Sequence, residues 1–504
     1  MILILKRNRV SLFVLVLVVG LIVSAIPGQG NPGIVSHPDQ LTYSSLKYNP
    51  PHADDHRHVL KNGIVVFLFK DETLPLVDLS VFIRAGSYLD PADKVGLASA
   101  VSSLIRSGGT AQRNAQDFDE EVDFLAAILR SRSGLSSSEI SLNVLSKDLE
   151  KGLDLFFEML RMPAFQKDRV NLRRSRILQN LERRNDDTRS IEAREWGRLM
   201  RGTHHHASSQ PTEATINSVT REDLIAFHER YYVPVNFVLA VSGNFDVSEI
   251  KNMLSVRFEG WDLGERSAAV PEPDYSPRPG VYLVNKTNVN QGRVSIGHLG
   301  IKMGNPDEIA IDLMNDVLGG AGFTSRIMSR VRSDEGLAYS AGSRFSAGAY
   351  YPGMFRVRFQ SKSRTCARAS RIVLDEIVRI RSEKITEEEL ETVKNNQIGV
   401  FPRFFSSARA VARTFAVEEL TGRDPNYWSN FRDRVRAIST DDILRVAHQY
   451  LRPEKLVILV VGNIDEILSG NPDEPEYSFH KQSSDGRVQR IALPDPRTLV
   501  YPFD

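Results

Sequence analysis

Two segments of this chain repeat one another at a fixed distance. Val219-Thr220-Arg221-Glu222-Asp223-Leu224, with Tyr231, Pro234, Gly243, Asn244 and Asp246, matches Ile438-Ser439-Thr440-Asp441-Asp442-Ile443, with Tyr450, Pro453, Gly462, Asn463 and Asp465. Every pair is separated by 219 positions. A constant offset across a helix, a turn and a strand implies two copies of one domain that mixes helices with strands. The stretch from Val270 to Pro279, with Pro271, Pro273, Pro277 and Pro279, is the natural linker between them.

The first copy begins at His58, where Asn62-Gly63 makes a hairpin turn between apolar runs. Strands are expected at Val77–Ile83, Glu139–Val144 and Phe237–Val241, with a long helical region from Lys147 to about Arg201. The fold class is therefore α+β, with two homologous domains, each a mostly antiparallel sheet packed with helices. The boundaries read as 1–30 targeting segment, 31–57 N-terminal arm, 58–265 first domain, 266–280 linker, 281–465 second domain and 466–504 C-terminal tail. The tail reads as an appendage of low regularity.

Lys6, Arg7 and Arg9 precede an unbroken apolar run from Leu12 to Val23, the pattern of a secretory signal. A span needs ~20 apolar residues, and continuation through Ser24, Ala25 and Ile26 leaves an uncleaved membrane anchor as the alternative. Either way the body of the protein is expected to be exported, into a bacterial periplasm or envelope. Lys and Arg number 64 against 63 Asp and Glu, a formal charge of +1, so no global field favours nucleic acid. A single cysteine, Cys366, excludes an internal disulfide and any cysteine-rich metal site.

The second domain contains Leu318-Gly319-Gly320-Ala321-Gly322-Phe323-Thr324-Ser325-Arg326, running on to Gly336-Leu337-Ala338-Tyr339-Ser340. It reads as a glycine hinge, a short helix and the start of a strand. Thr324 or Ser325 is placed to cap the helix, Phe323, Ile327 and Val331 repeat every four residues as a buried stripe, and Gly336 offers a left-handed stop. Arg332 and Tyr339 would then converge at one corner, where a guanidinium and a phenol can grip a carbonyl or carboxylate. An exposed helix arginine and a half-buried strand tyrosine would produce the same letters.

From about His58 to Asp465 the chain resembles the pitrilysin/insulinase family of metallopeptidases, and specifically its short two-domain bacterial branch. Arg332 and Tyr339 have the seven-residue spacing of the pair that, in that family, contacts the peptide substrate. Active members carry an inverted zinc motif, His-x-x-Glu-His, on a first-half helix: the histidines bind Zn²⁺ and the glutamate acts as general base. The matching stretch here is Gly96-Leu97-Ala98-Ser99-Ala100-Val101-Ser102-Ser103-Leu104. Ser99 and Ser103 stand at the histidine positions and Ser102 at the base, and neutral hydroxyls are poor zinc ligands and no base near neutral pH. The distal glutamate falls at Asn180, with Glu182 close enough to be the alternative. His204-His205-His206 is a run of adjacent residues that point different ways and seldom close one site. Gln291–Gly300 resembles a family strand that can receive peptide by edge addition, although a plain sheet strand would read the same.

The resemblance implies a subunit with no metal of its own. It would pair with a zinc-bearing homologous subunit, supply Arg332 and Tyr339 as substrate-binding residues, and act on unfolded peptide. The alternative is a catalytically inactive pseudo-peptidase that serves assembly or peptide binding.

Overall fold

The computed structural model describes residues 48–483 and 486–502, together with residues 37, 40 and 41. Residues 1–30, expected to be a targeting segment, lie outside the described residues. In the first half, β1 (Arg57–Val59), β2 (Val65–Lys70), β3 (Leu76–Ile83), β4 (Ile128–Ser133), β5 (Ser138–Leu145) and β6 (Phe237–Gly243) form one sheet in the order β1-β2-β6-β3-β5-β4. Gly63, at φ 84°, turns the β1–β2 hairpin, where a left-handed residue is needed. In the second half, β7 (Gly280–Asn285), β8 (Gln291–Leu299), β10 (Ala338–Phe345), β12 (Met354–Lys362), β13 (Val457–Gly462) and β14 (Val488–Ile491) form another, ordered β10-β12-β8-β13-β7-β14. Two short strands, β9 (Ile301–Lys302) and β11 (Ala347–Gly348), pair separately.

Without its outer strand, each sheet has the same connectivity: β2-β6-β3-β5-β4 matches β7-β13-β8-β12-β10. The helices ahead of β6 and β13, Arg221–Tyr231 and Thr440–Tyr450, start on equivalent capping boxes, Thr220 with Asp223 and Ser439 with Asp442. In both, side chains satisfy the donors that the first helical turn leaves open. The outer strands differ. Sheet one is completed by the N-terminal hairpin, whereas sheet two is completed by β14, from the tail expected to be irregular. That expectation was wrong because a four-residue strand docking in parallel on β7 needs no strong pattern of its own. Beyond β14 the tail crosses to the first half, where the Pro494 carbonyl accepts from Asn185, Arg497 pairs with Glu182 and Glu213, and Tyr501 donates to Glu195.

The helices that matter for the site are α1 (Leu97–Ser107), α2 (Lys167–Glu182), α3 (Thr188–Arg201), α4 (Glu308–Asn315) and α5 (Ala408–Thr421). The expected single helical region from Lys147 resolves into Leu149–Arg161, α2 and α3. Pro163 interrupts it first, and Asp187, whose carboxylate accepts from the Ser190 amide, restarts it at α3.

The halves exchange helices. Ile191, Trp196 and Met200 of α3 pack not on their own sheet but with Tyr282, Val284, Val457, Leu459 and Val461 of the second. In return α5 lies on β2 and β6, with the Phe415 ring 6.0 Å from that of Phe67. Polar groups fix both exchanges. Glu192 of α3, with no exposed surface, accepts from Arg356 (3.0 Å), Arg358 (3.2 Å) and the Ser295 hydroxyl. Arg413 of α5 holds Glu139 on β5, with one contact of 3.0 Å, and Ser80 joins the pair. Burial alone would raise the Glu139 carboxyl, but the Arg413 hydrogen bond and charge outweigh it and leave it below its ordinary value.

Candidate functional site: an arginine between two aromatic rings

Helix α4 runs into a chain of irregular turns. Asp316–Gly320 and Ser329–Asp334 are π-helical, Gly322–Thr324 is a 3₁₀ turn, and only Arg326–Met328 is regular α-helix. A side chain at Gly319 would put its Cβ 2.5 Å from the Ser343 Oγ, so this glycine lets the turn lie against β10. Glu389 braces the segment by accepting twice from Arg326, at 2.6 and 2.8 Å. Three hydroxyls tie the turn to itself: Thr324 donates to the Ala321 carbonyl, Ser325 to Gly322 and Ser329 to Phe323.

The expected stripe holds only in part. Ile327 and Val331 are fully buried, but Phe323 is 66% exposed. The physical reason is that Phe323 lies ahead of the helix, in the 3₁₀ turn, and extended Ser325 (φ −82°, ψ 149°) separates it from Arg326–Met328, so the four-residue period begins only at Ile327. Ser325 likewise spends its hydroxyl on the Gly322 carbonyl rather than on a helix cap.

Tyr339 lies on β10, the free edge of sheet two, where the register with β12 breaks between Ala338 and Ala341. The irregularity turns two consecutive residues, Tyr339 and Ser340, outward, and Tyr339 is 86% exposed instead of half-buried. The structure brings Arg332 and Tyr339 together. The Arg332 guanidinium carbon lies 5.0 Å from the Tyr339 ring centre and 4.5 Å from that of Phe323. Nearby acids are engaged elsewhere: Asp334 with Arg330, Glu335 with Arg368, Glu389 with Arg326. Among the described residues Arg332 has no carboxylate at ion-pair distance. Such a guanidinium, held beside two rings, keeps its donors for an incoming carbonyl or carboxylate.

The three serines of α1 are arranged differently. Gly96, at φ 103°, starts the helix, and half-buried Asp90, its carboxyl raised to about 6 by desolvation, accepts from the Gly96 and Ala98 amides. Ser99 and Ser103 are exposed, while Ser102 is buried with its hydroxyl 2.8 Å from that of Ser131 on β4. Arg173 of α2, pushed down to about 10 by desolvation, donates to Ser99 Oγ at 3.2 Å. Asn180, two turns further along α2 and on the same face, is exposed, and Glu182 is held by Arg497 of the tail. Two hydroxyls, an amide and a cation do not fit a zinc ion. Among the described residues no group of three or more His, Cys, Asp or Glu side chains is placed to hold a metal.

Other sequence candidates are placed elsewhere. The buried His205 ring meets the Pro271 carbonyl at 3.2 Å, lies tilted against His206 and edge-on to Tyr351, and His206 is lowered to about 4 by burial. Strand β8 pairs with β12 on one side and β13 on the other, so it has no free edge for a peptide. Cys366 is fully buried, its thiol raised to about 12 by desolvation. Sequence reasoning missed Phe323 and Arg173. No periodic signal reveals the first, whereas the second was legible as the residue seven before Asn180.

Two models of one peptidase family match the chain: Insulinase (Peptidase family M16) over residues 65–207, and Peptidase M16 inactive domain over residues 218–397. Together they cover more than half of it. The chain belongs to the insulinase family of peptidases. Within the family, an uncharacterized zinc protease of Streptomyces coelicolor is 24% identical over 404 residues, covering 77% of this chain and 86% of that protein. A crystal structure of a peptidase M16 inactive domain from Pseudomonas fluorescens matches with a TM-score of 0.73 and 22% identity, over 81% of this chain and 97% of that one. The periplasmic protease PqqL from Escherichia coli matches with a TM-score of 0.71 and 15% identity, over 86% of this chain and 47% of its own. The insulinase fold is thus present while the first-half helix carries serines in place of the zinc motif.

Proposed function

We propose that this chain is the non-zinc subunit of a heterodimeric metallopeptidase, pairing with a zinc-bearing homologous subunit and binding the peptide through Arg332 and Tyr339. One observation carries the reading: among the described residues Arg332 has no carboxylate partner and lies against two exposed rings at the edge of sheet two, while no group of side chains there is placed to hold a metal. A subunit retained for packing alone has no need of an unpaired guanidinium held in that position. The role of the pair is electrostatic and geometric. Guanidinium and phenol donors hold the substrate carbonyl and favour the charge that develops on its oxygen, a contribution whose loss typically costs ~10²–10³ in rate. The metal and the general base belong to the partner.

The chain is read as exported, to the periplasm or envelope, on the basic and apolar composition of its first thirty residues. The periplasmic Escherichia coli neighbour is consistent with that location.

The second reading is a pseudo-peptidase used for assembly or peptide binding. Arg173, hydrogen-bonded to Ser99, is compatible with either reading, since in both this chain holds no metal. The two readings separate on the particle isolated under mild conditions from its native envelope. Two unlike subunits with one zinc support the shared active site. A zinc-free homo-oligomer overturns it in favour of the pseudo-peptidase.

A further inference from the structure

The turn that carries Arg332 also carries a ring that the fold leaves in water. Phe323 is 66% exposed, follows Gly322 at φ 62°, and has its carbonyl tied to the Ser329 hydroxyl, so its backbone is fixed while its ring is not covered. Its ring centre lies 4.5 Å from the Arg332 guanidinium carbon, on the same cation that meets Tyr339 at 5.0 Å. A large apolar side chain that is exposed, anchored at its backbone and adjacent to unused hydrogen-bond donors is the composition of a small recognition site: apolar surface for contact, with a few polar groups for orientation.

We infer that Phe323 is a specificity-determining and positioning residue of the Arg332–Tyr339 site. One part of the ring steadies the guanidinium, and the rest receives a bulky apolar side chain of an extended peptide next to the carbonyl that Arg332 holds. This rests on reading Arg332 and Tyr339 as a peptide-gripping pair. The chemistry follows from the three groups. The guanidinium supplies donors to a carbonyl, β10 offers an unpaired strand edge beside Tyr339 and Ser340, and the ring sits where a neighbouring side chain of that peptide would be desolvated. The preferred ligand is therefore an unfolded segment carrying Phe, Leu or a residue of similar size, rather than a wholly polar one.

The test uses the full chain and fluorescein-labelled Gly/Ser decapeptides that differ only in a central Phe, Leu or Ser, with binding read by anisotropy. Wild type is expected to bind the Phe and Leu peptides on the order of tenfold more tightly than the Ser peptide, the scale of partial burial of one side chain. Phe323→Ala should bring the three within about twofold of one another while Phe323→Tyr keeps the preference, and Arg332→Gln should weaken all three together. Because Phe323 is mostly exposed, its variants should unfold at the wild-type temperature. A preference unchanged in Phe323→Ala overturns the inference and leaves the Arg332–Tyr339 reading standing. Wild type that binds every peptide equally also overturns it. Wild type that binds none of them refutes the gripping pair itself, and this inference with it.

Discussion

Removing the Glu192 carboxylate is the most direct test of how the two halves are joined. The residue has no exposed surface, accepts from Arg356, Arg358 and Ser295, and lies 3.8 Å from Arg293. In Glu192→Ala, Arg356, Arg358 and Arg293 lose the carboxylate they share. Breaking a buried ion pair from one side typically costs ~3–5 kcal/mol, because the remaining charge stays buried and unpaired. The three arginines are not equal. Arg356 has a side chain only 19% exposed, whereas that of Arg358 is 49% exposed, so water screens the second. Arg358→Ala should therefore cost no more than ~1 kcal/mol, the range of surface pairs. The double variant Glu192→Ala/Arg356→Met should lose less than Glu192→Ala alone, since it removes the most buried orphan cation. Equilibrium unfolding in urea, followed by both circular dichroism and tryptophan fluorescence, measures all three. Trp196, one helical turn from Glu192 and beneath the Arg356 guanidinium at 4.6 Å, reports on this contact. A Glu192→Ala variant within ~1 kcal/mol of wild type would refute the account of α3 as a helix locked into the opposite sheet by charge.

Arg332→Ala and Tyr339→Phe should each reduce peptide turnover by the native complex by ~10²–10³ without dissociating it; unchanged kinetics in both would end their assignment. Buried His228 and His298 are lowered to about 4 by desolvation, so unfolding takes up protons that the folded state refuses. Stability should be fully present above pH 6.5 and fall as pH drops toward 4, by on the order of 1 kcal/mol per pH unit for each histidine, seen as a declining melting temperature. Restoring Ser99→His, Ser102→Glu, Ser103→His and Asn180→Glu should fail to yield stoichiometric zinc by elemental analysis while Arg173 remains. Adding Arg173→Gln should improve uptake. Ending the chain after residue 485 removes β14 and the contacts of Arg497 and Tyr501, and should lower the melting temperature.

The α+β class and the duplication were both legible in the letters. Each is written locally. Capping boxes at Thr220 and Ser439, apolar strand runs and a constant spacing need no distant partner to be recognised. What tertiary structure decided is everything that depends on contacts between segments far apart in sequence. Helices α3 and α5 carry ordinary amphipathic patterns, and nothing in those patterns says that each covers the other half's sheet. Strand β14 is too short to announce itself and exists because the edge of β7 stands open to it. Phe323 falls on a buried period by counting and is exposed in fact, because extended Ser325 separates it from the helix that carries Ile327. Arg332 was marked by its spacing to Tyr339, but that the acids near it are engaged elsewhere is visible only in the packing. Sequence determined which groups this protein carries; only packing determined which of them stand where they can act.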